Sequence, residues 1–316
     1  MRPSDAMGGS GVSQDSFLPW RGWRVVAGRT LTGVPRGVEE AGRRAFPGFR
    51  LRVLERTPST QDVVRAAARS GAAAGFCCVA LEQSAGRGRQ GRAWVAPRGA
   101  ALLVSVLVRV PGRAAGGVPL VGGLAVCSAV EALGVAAGLV GVKWPNDVLV
   151  RASGAKLAGV LAEVEPVAAG VEVRAERARA GGPAGAATEA GSVAVALGIG
   201  LNLAVDSFPA EIPGASLHSL LGRGVTWEEA LPPLLTALAA HLAELDRGGL
   251  PAIAATWRTR ALGLGAPITA HTPQGPVQGT ALDIAGDGAL LVQTPQGVVR
   301  LLAGDVHLGP PPDLGG

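Results

Sequence analysis

The chain has no tyrosine and only five phenylalanines among 316 residues, so its core has to be built from alanine, valine and leucine. Hydrophobic residues make up 48% of it, enough at this length to fill a substantial core and more than one domain. Cysteine is scarce too. Cys77, Cys78 and Cys127 form an odd set without metal-ligand spacing, which excludes a disulfide framework and points to a reducing compartment. Cys77 and Cys78 adjoin inside the apolar run 75–81 and, on a strand, face opposite ways. No apolar core follows Met1-Arg-Pro-Ser-Asp5, so no signal peptide is expected. No run free of Gly or Pro reaches the roughly 18 apolar residues that span a bilayer. The expectation is a cytoplasmic protein without a membrane partner.

The net charge of +5 suggests nucleic acid until it is located. Residues 1–56 hold ten arginines against five acids, and residues 57–316 hold nineteen basic against nineteen acidic residues. The whole excess is N-terminal, where no folded reading element is visible, so no nucleic-acid partner is expected.

Acids are also missing between Glu82 and Glu131, and that gap decides the reading of the most informative segment. Gly86-Arg-Gly-Arg-Gln-Gly-Arg92 follows an apolar strand pattern and satisfies the spacing G-x-G-x-x-G. A dinucleotide site would need a helix opening at the last glycine and an acid about 20 residues on for the ribose. Trp94-Val-Ala-Pro97 starts no helix, and the acid is absent. What remains is a loop of permissive backbone and three guanidiniums, suited to an anion. The alternative is a turn whose arginines are merely solvated.

Further motifs weigh against that alternative. Lys143-Trp-Pro-Asn-Asp147 follows one apolar run, and Lys156-Leu-Ala-Gly-Val-Leu-Ala-Glu163 comes soon after. Gly198-Ile-Gly-Leu-Asn202 closes another strand, and Ser59-Thr60 opens a helix upstream. In this order and spacing the motifs resemble those of the biotin protein ligases, over about residues 52–308.

Hydrophobic periodicity predicts strands at 49–54, 75–81, 102–108, 140–144, 148–150, 157–163 and 193–202. Helices are expected at 60–70 with Ser59 as N-cap, at 116–133, at 226–245 with Thr226 as N-cap, and at 251–261. Pro35 and Pro47 bracket one short helix, 36–45, within an N-terminal extension, residues 1–48, expected to be partly ordered and dispensable. It matches no winged helix of the kind that makes some relatives repressors. A glycine- and proline-containing insertion, 165–191, separates two strands that such a fold would pair. From 266 onward, short alternating strands alternate with turn signals. The resemblance implies an α+β fold: a mixed sheet with flanking helices, like the class II aminoacyl-tRNA synthetases, over 49–263, then an SH3-like barrel over 264–316.

The resemblance also implies the chemistry: biotin is activated by ATP to biotinyl-5′-AMP, then passed to a lysine of the biotin carboxyl carrier protein of acetyl-CoA carboxylase. Bringing two anions together requires positive charge. On this reading Lys156, Arg89 and Asp147 are catalytic, a lysine before a buried apolar strand being costly unless it faces a polar site. Ser59, Thr60 and Gln83 match the positions that bind the ureido group; Gln61 stands third where the family motif has asparagine. Arg87, Gly88, Arg89, Trp94, Lys156 and Gly159 complete the biotin set. Arg87, Arg89, Arg92, Lys143, Asn146 and Asn202 match the ATP and adenylate set, Lys143 being equally well explained by an ion pair. Asp147 either holds Mg2+ or organises Lys156. The arginine loop is expected to close over the ligand. A homodimer is compatible with the resemblance. A lipoate or octanoate ligase and a biotin-responsive DNA-binding repressor are the competing readings.

Overall fold

A computed structural model describes residue 30 and residues 33–165, 191–209, 213–272, 274–302 and 304–309. The main sheet has eight strands, β1 (Arg50–Leu54), β2 (Phe76–Ala80), β3 (Ala101–Pro111), β4 (Val140–Lys143), β5 (Asp147–Val150), β6 (Lys156–Glu165), β7 (Ser192–Asn202) and β8 (Ala261–Leu262). Their order is β1-β2-β3-β7-β6-β5-β4-β8. The two outer pairs, β1/β2 and β4/β8, are parallel, and the pairs between them are antiparallel, so the sheet is mixed. Strands β6 and β7 run antiparallel through the centre, with Gly159 opposite Gly200 and Glu165 opposite Ala194. The expected insertion joins their far ends, and its residues 166–190 lie outside the described ones.

Helix α1 (Arg36–Ala45) precedes β1, and α2 (Thr60–Arg69) lies between β1 and β2. Helix α3 (Val118–Ala132) is apolar on nearly every side and correspondingly buried, between the central strands and the long α5 (Trp227–Arg260). The segment Gly112–Ala132 is apolar and long enough to cross a membrane, but most of it is buried inside this core. The short α4 (Leu217–Leu221) carries a reciprocal capping box between Ser216 and Ser219. Helix α5 is two helices across a kink, as the sequence separates them: Gly249 takes φ +64° and breaks the helical path just before Pro251. Thr226 caps its start by accepting from Glu229 N. Trp257 is core, buried to 1% exposure.

Five antiparallel strands follow: β9 (Pro267–Thr272), β10 (Gly275–Ile284), β11 (Leu290–Thr294), β12 (Gly297–Leu301) and β13 (Asp305–Leu308), in the order β12-β11-β10-β9-β13. This sheet is tied to the main one by Trp144, buried at the end of β4, whose indole N–H donates to the Gly288 carbonyl at 3.0 Å.

One expectation needs correcting. The N-terminal extension ends well before residue 48, because α1 packs on α5 and buries Val38 and Phe46 in the main core. Gly42 makes room for Phe49 against the helix: a Cβ there would stand 2.2 Å from its ring. The cysteines behave as expected. Cys77 and Cys78 are buried in separate clusters on opposite faces of β2, and burial pushes the Cys78 thiol up to about 12.

Candidate functional site

Three glycines on two neighbouring strands make the floor of the site. Gly198 and Gly200 alternate along β7, and Gly159 of β6 pairs with Gly200. A strand glycine removes the side chain that would otherwise fill this face. Trp94 occupies the space: a Cβ on Gly200 would stand 2.4 Å from the indole Cε2, and one on Gly159 would stand 2.9 Å from Cζ3. Gln61 lies over Gly198 in the same manner. The alternation of Gly198 and Gly200 in the sequence marks this bare face of β7.

The polar end is built by two zipped loops. Thr57 N donates to the Glu82 carbonyl, Ser84 N to the Thr57 carbonyl and Ala85 N to the Pro58 carbonyl, at 2.9–3.1 Å. That register sets Gln83 against the start of α2, where its Oε1 accepts from Thr60 N at 2.7 Å and from Thr60 Oγ1 at 3.1 Å. Thr60 Oγ1 also meets Ser105 Oγ at 2.8 Å, and Ser59 caps the helix by accepting from Gln61 N at 3.3 Å. Ser59, Thr60, Gln61, Gln83, Arg87, Trp94, Asn146 and Gly159 all border one cleft. Ser105 is a lining residue that no motif marked.

Lys156, the first residue of β6, does not itself line this cleft but adjoins Trp94, which does. Its Nζ lies 2.6 Å from Asp147 Oδ1 and 5.6 Å from the centre of the Trp94 ring. Asp147 Oδ2 faces Lys143 Nζ at 3.4 Å. Both carboxylate oxygens are thus held by ammonium groups, and no cluster of three His, Cys, Asp or Glu side chains occurs among the described residues. The geometry of Asp147 is that of a residue organising two lysines. Asn202 does not border the cleft. It is buried and donates to the carbonyls of Lys156 at 3.2 Å and Ala215 at 3.1 Å, fixing the backbone that carries the lysine.

The arginine loop is folded on itself, with Trp94 N on the Gly86 carbonyl at 2.9 Å and Gly88 N on the Arg92 carbonyl at 2.7 Å. Gln90 at φ +53° and Gly91 at φ +75° make the reversal. Gly86 has no room for a side chain, because a Cβ would stand 2.4 Å from the Trp94 carbonyl oxygen. The three guanidiniums have different fates. Arg87 is gripped by both oxygens of Asp62 at 2.7 and 2.9 Å, with Glu163 at 3.6 Å; these carboxylates raise its pKa. Arg92, expected at the nucleotide, instead forms an ion pair with Asp305 at the start of β13 and leaves the cleft. Arg89 donates only to neutral oxygens, Asn146 Oδ1 at 3.4 Å and the Gly304 carbonyl at 3.1 Å. Burial lowers its pKa, against the opposing pull of Asp147 and Asp305. A half-buried guanidinium without a carboxylate partner among the described residues is the best-placed anion receptor here.

Asn146 orients Arg89 while donating to the Val160 carbonyl at 2.8 Å. Beyond it a second cavity opens between the start of α3, Trp144 and the C-terminal sheet, with Arg89 on its border. Lys156 thus stands beside Trp94, which borders the first cleft, and Arg89 borders the second.

Comparison with known proteins gives concordant findings. Residues 53–173 match the model of the biotin/lipoate A/B protein ligase family, and residues 263–309 match that of the biotin protein ligase C terminal domain. A biotin–[acetyl-CoA-carboxylase] ligase of Mycobacterium tuberculosis is 38% identical, over 84% of this chain and 91% of the relative. One from Paracoccus denitrificans is 35% identical over 73% of this chain and 89% of its own length. The structure of a biotin protein ligase from Aquifex aeolicus, in complex with biotin and ATP, superimposes with a TM-score of 0.63 over 81% of this chain and 97% of the other; at 24% identity it speaks to the fold.

Proposed function

Because the chain belongs to the biotin protein ligase family, we propose that the cleft over Gly159, Gly198 and Gly200 is its biotin site and that Lys156 and Arg89 carry its chemistry. The reaction is ATP-dependent. A carboxylate oxygen of biotin attacks the α-phosphorus of ATP, pyrophosphate leaves, and biotinyl-5′-AMP forms. The amine of a carrier lysine then attacks the acyl carbon, forming the amide and releasing AMP.

The observation that carries the residue assignment is the alignment of chemistry along β7. Gln61 lies over Gly198, Trp94 over Gly200 and Lys156 beside the same ring. Lys156 Nζ lies 3.4 Å from where a Gly159 Cβ would stand, and Gly159 pairs with Gly200, so the lysine and Gln61 are about two residues, roughly 7 Å, apart along the sheet. Ser59, Thr60 and Gln83 meet the ureido head, and Trp94 covers the rings. Lys156 holds the carboxylate and the phosphate it attacks, so the two anions meet at a fixed cation. Asp147 and Asn202 position that lysine from its side chain and its backbone. Arg89 stabilises the charge on the adenylate, while Arg87 braces the loop through Asp62. Lys143 balances Asp147, and Mg2+ arrives with ATP.

We read the mixed sheet as class II synthetase-like and the C-terminal sheet as an SH3-like barrel. The same reading takes the carrier protein of acetyl-CoA carboxylase as acceptor, a cytoplasmic setting, and a homodimer as the assembly to look for. The test is transfer of biotin, lipoate or octanoate to a purified biotin carboxyl carrier domain with ATP and magnesium, read as carrier mass. Gain of one biotinyl group supports the proposal; lipoyl transfer instead, or no transfer, rejects it.

A further inference from the structure

Only two of the chain's 29 basic residues are lysines, Lys143 and Lys156; the other 27 are arginines. Lysine is ordinarily among the commonest residues of a globular protein. The contacts made do not force the choice. Arg43 and Arg44 each reach a glutamate one turn back on α1, and Arg56 reaches Glu82, all as exposed single contacts. A lysine serves as well in such pairs.

The two cations differ in nucleophilicity. A lysine that sheds its proton is a free amine, whereas a guanidinium keeps its proton and only donates. The proposed reaction makes a mixed anhydride that an amine attacks, so any lysine on the enzyme would compete with the carrier's. In that side reaction the amine lone pair bonds the acyl carbon and the acyl–oxygen bond to the phosphate breaks. AMP leaves with that electron pair, and the amine proton goes to solvent.

Both remaining lysines stand in the site, with 15% and 29% of their side chains exposed, and share one carboxylate. Asp147 Oδ2 lies 3.4 Å from Lys143 Nζ, and Oδ1 lies 2.6 Å from Lys156 Nζ. An ammonium held this way donates and has no lone pair to give.

We propose that the chain is self-sparing: arginine stands in for lysine everywhere outside the site, and Asp147 clamps the two lysines within it. The acyl adenylate then finds no acceptor lysine on the enzyme and keeps its acyl group for the carrier. The inference rests on the acyl-adenylate reading and adds acceptor selectivity to it.

The test supplies synthetic biotinyl-5′-AMP to the full chain, with serum albumin in the same tube as a lysine-bearing bystander, and locates biotinyl groups by peptide mass. Albumin should gain biotinyl groups while Lys143 and Lys156 of the folded protein gain none. Unfolded in urea, the chain should gain one on each. A variant carrying Arg36→Lys, Arg98→Lys and Arg113→Lys, three exposed positions that line neither cavity, should gain biotinyl groups at the introduced lysines while folded. Labelling of Lys143 or Lys156 in the folded protein at the rate seen for albumin would overturn the proposal. So would introduced lysines, or a urea-unfolded chain, left unlabelled while albumin reacts. Because the adenylate is supplied, failure of the underlying reading is separately visible, as wild type that releases no pyrophosphate from biotin and ATP.

Discussion

Lys156 Nζ and Asp147 Oδ1 stand 2.6 Å apart beside Trp94, on strands joined edge to edge. The pair fixes where the ammonium points, since Lys143 holds the second carboxylate oxygen at 3.4 Å. Lys156→Ala should lower the rate of adenylate formation by roughly 10²- to 10³-fold, the scale of losing one preorganised donor. Asp147→Asn leaves the lysine present but unaimed, and roughly 10²-fold is expected from misplacement alone. Pyrophosphate release measured on both variants, with melting curves to show intact folds, checks the order.

Arg89 lacks the carboxylate that occupies each of its two neighbours in the loop. Arg89→Ala should therefore release biotinyl-5′-AMP roughly 10²-fold faster, a charge-assisted contact having been removed. Arg92→Ala should leave adenylate release near the wild-type value. Trapping the adenylate on the protein and following its loss over time separates the two.

Gly200 makes room for an indole. In Gly200→Ala the new methyl would stand within 2.4 Å of the Trp94 ring, and the ring has to move off the floor. Overpacking of this kind costs about 1–3 kcal/mol. A KM for biotin raised about tenfold is the expected reading, by the usual conversion of free energy to affinity, alongside a modest fall in Tm.

Truncation should show where the folded unit begins. Removing residues 1–29 leaves every described contact in place. Removing residues 1–46 takes Val38 and Phe46 out of the core, and loss of a buried phenylalanine alone costs about 3–5 kcal/mol. Urea melts of the two truncations should differ by at least that amount.

Glu165 is a buried carboxylate held by Arg65 and by Arg69 at 2.8 Å. Burial pushes its pKa up, but the two guanidiniums outweigh it and the net shift is below the ordinary value of 4.5. A depressed carboxylate stabilises the fold above its unfolded pKa and loses that contribution as pH falls through its folded one. Glu165→Gln should therefore cost about 1–3 kcal/mol at pH 7, and the gap to wild type should close as the pH drops below 4.5. Urea melts across that range provide the check.

Much of this was legible because it is local. Strand alternation, the caps at Ser59 and Thr226, and the break before Pro251 all depend on neighbours in sequence. The glycine-arginine loop and Lys156 could be singled out for the same reason. What escaped depends on distant partners. Arg92 meets Asp305 across 213 positions, and Arg87 meets Asp62 across 25, so the fate of each guanidinium was set by the tertiary fold. Helix α1 could not be placed in the core from sequence, because the burial of Val38 depends on α5 being opposite.

Glu165 and Lys156 are the two ends of one strand, and nine residues of strand separate them by roughly 30 Å. The segment between Glu165 and Ser192 leaves and rejoins the sheet at the end opposite the chemistry. That makes it a natural insertion port: a fluorescent or affinity module spliced there would report on the enzyme, or direct its labelling activity to a chosen neighbour, without sharing a wall with the ligand.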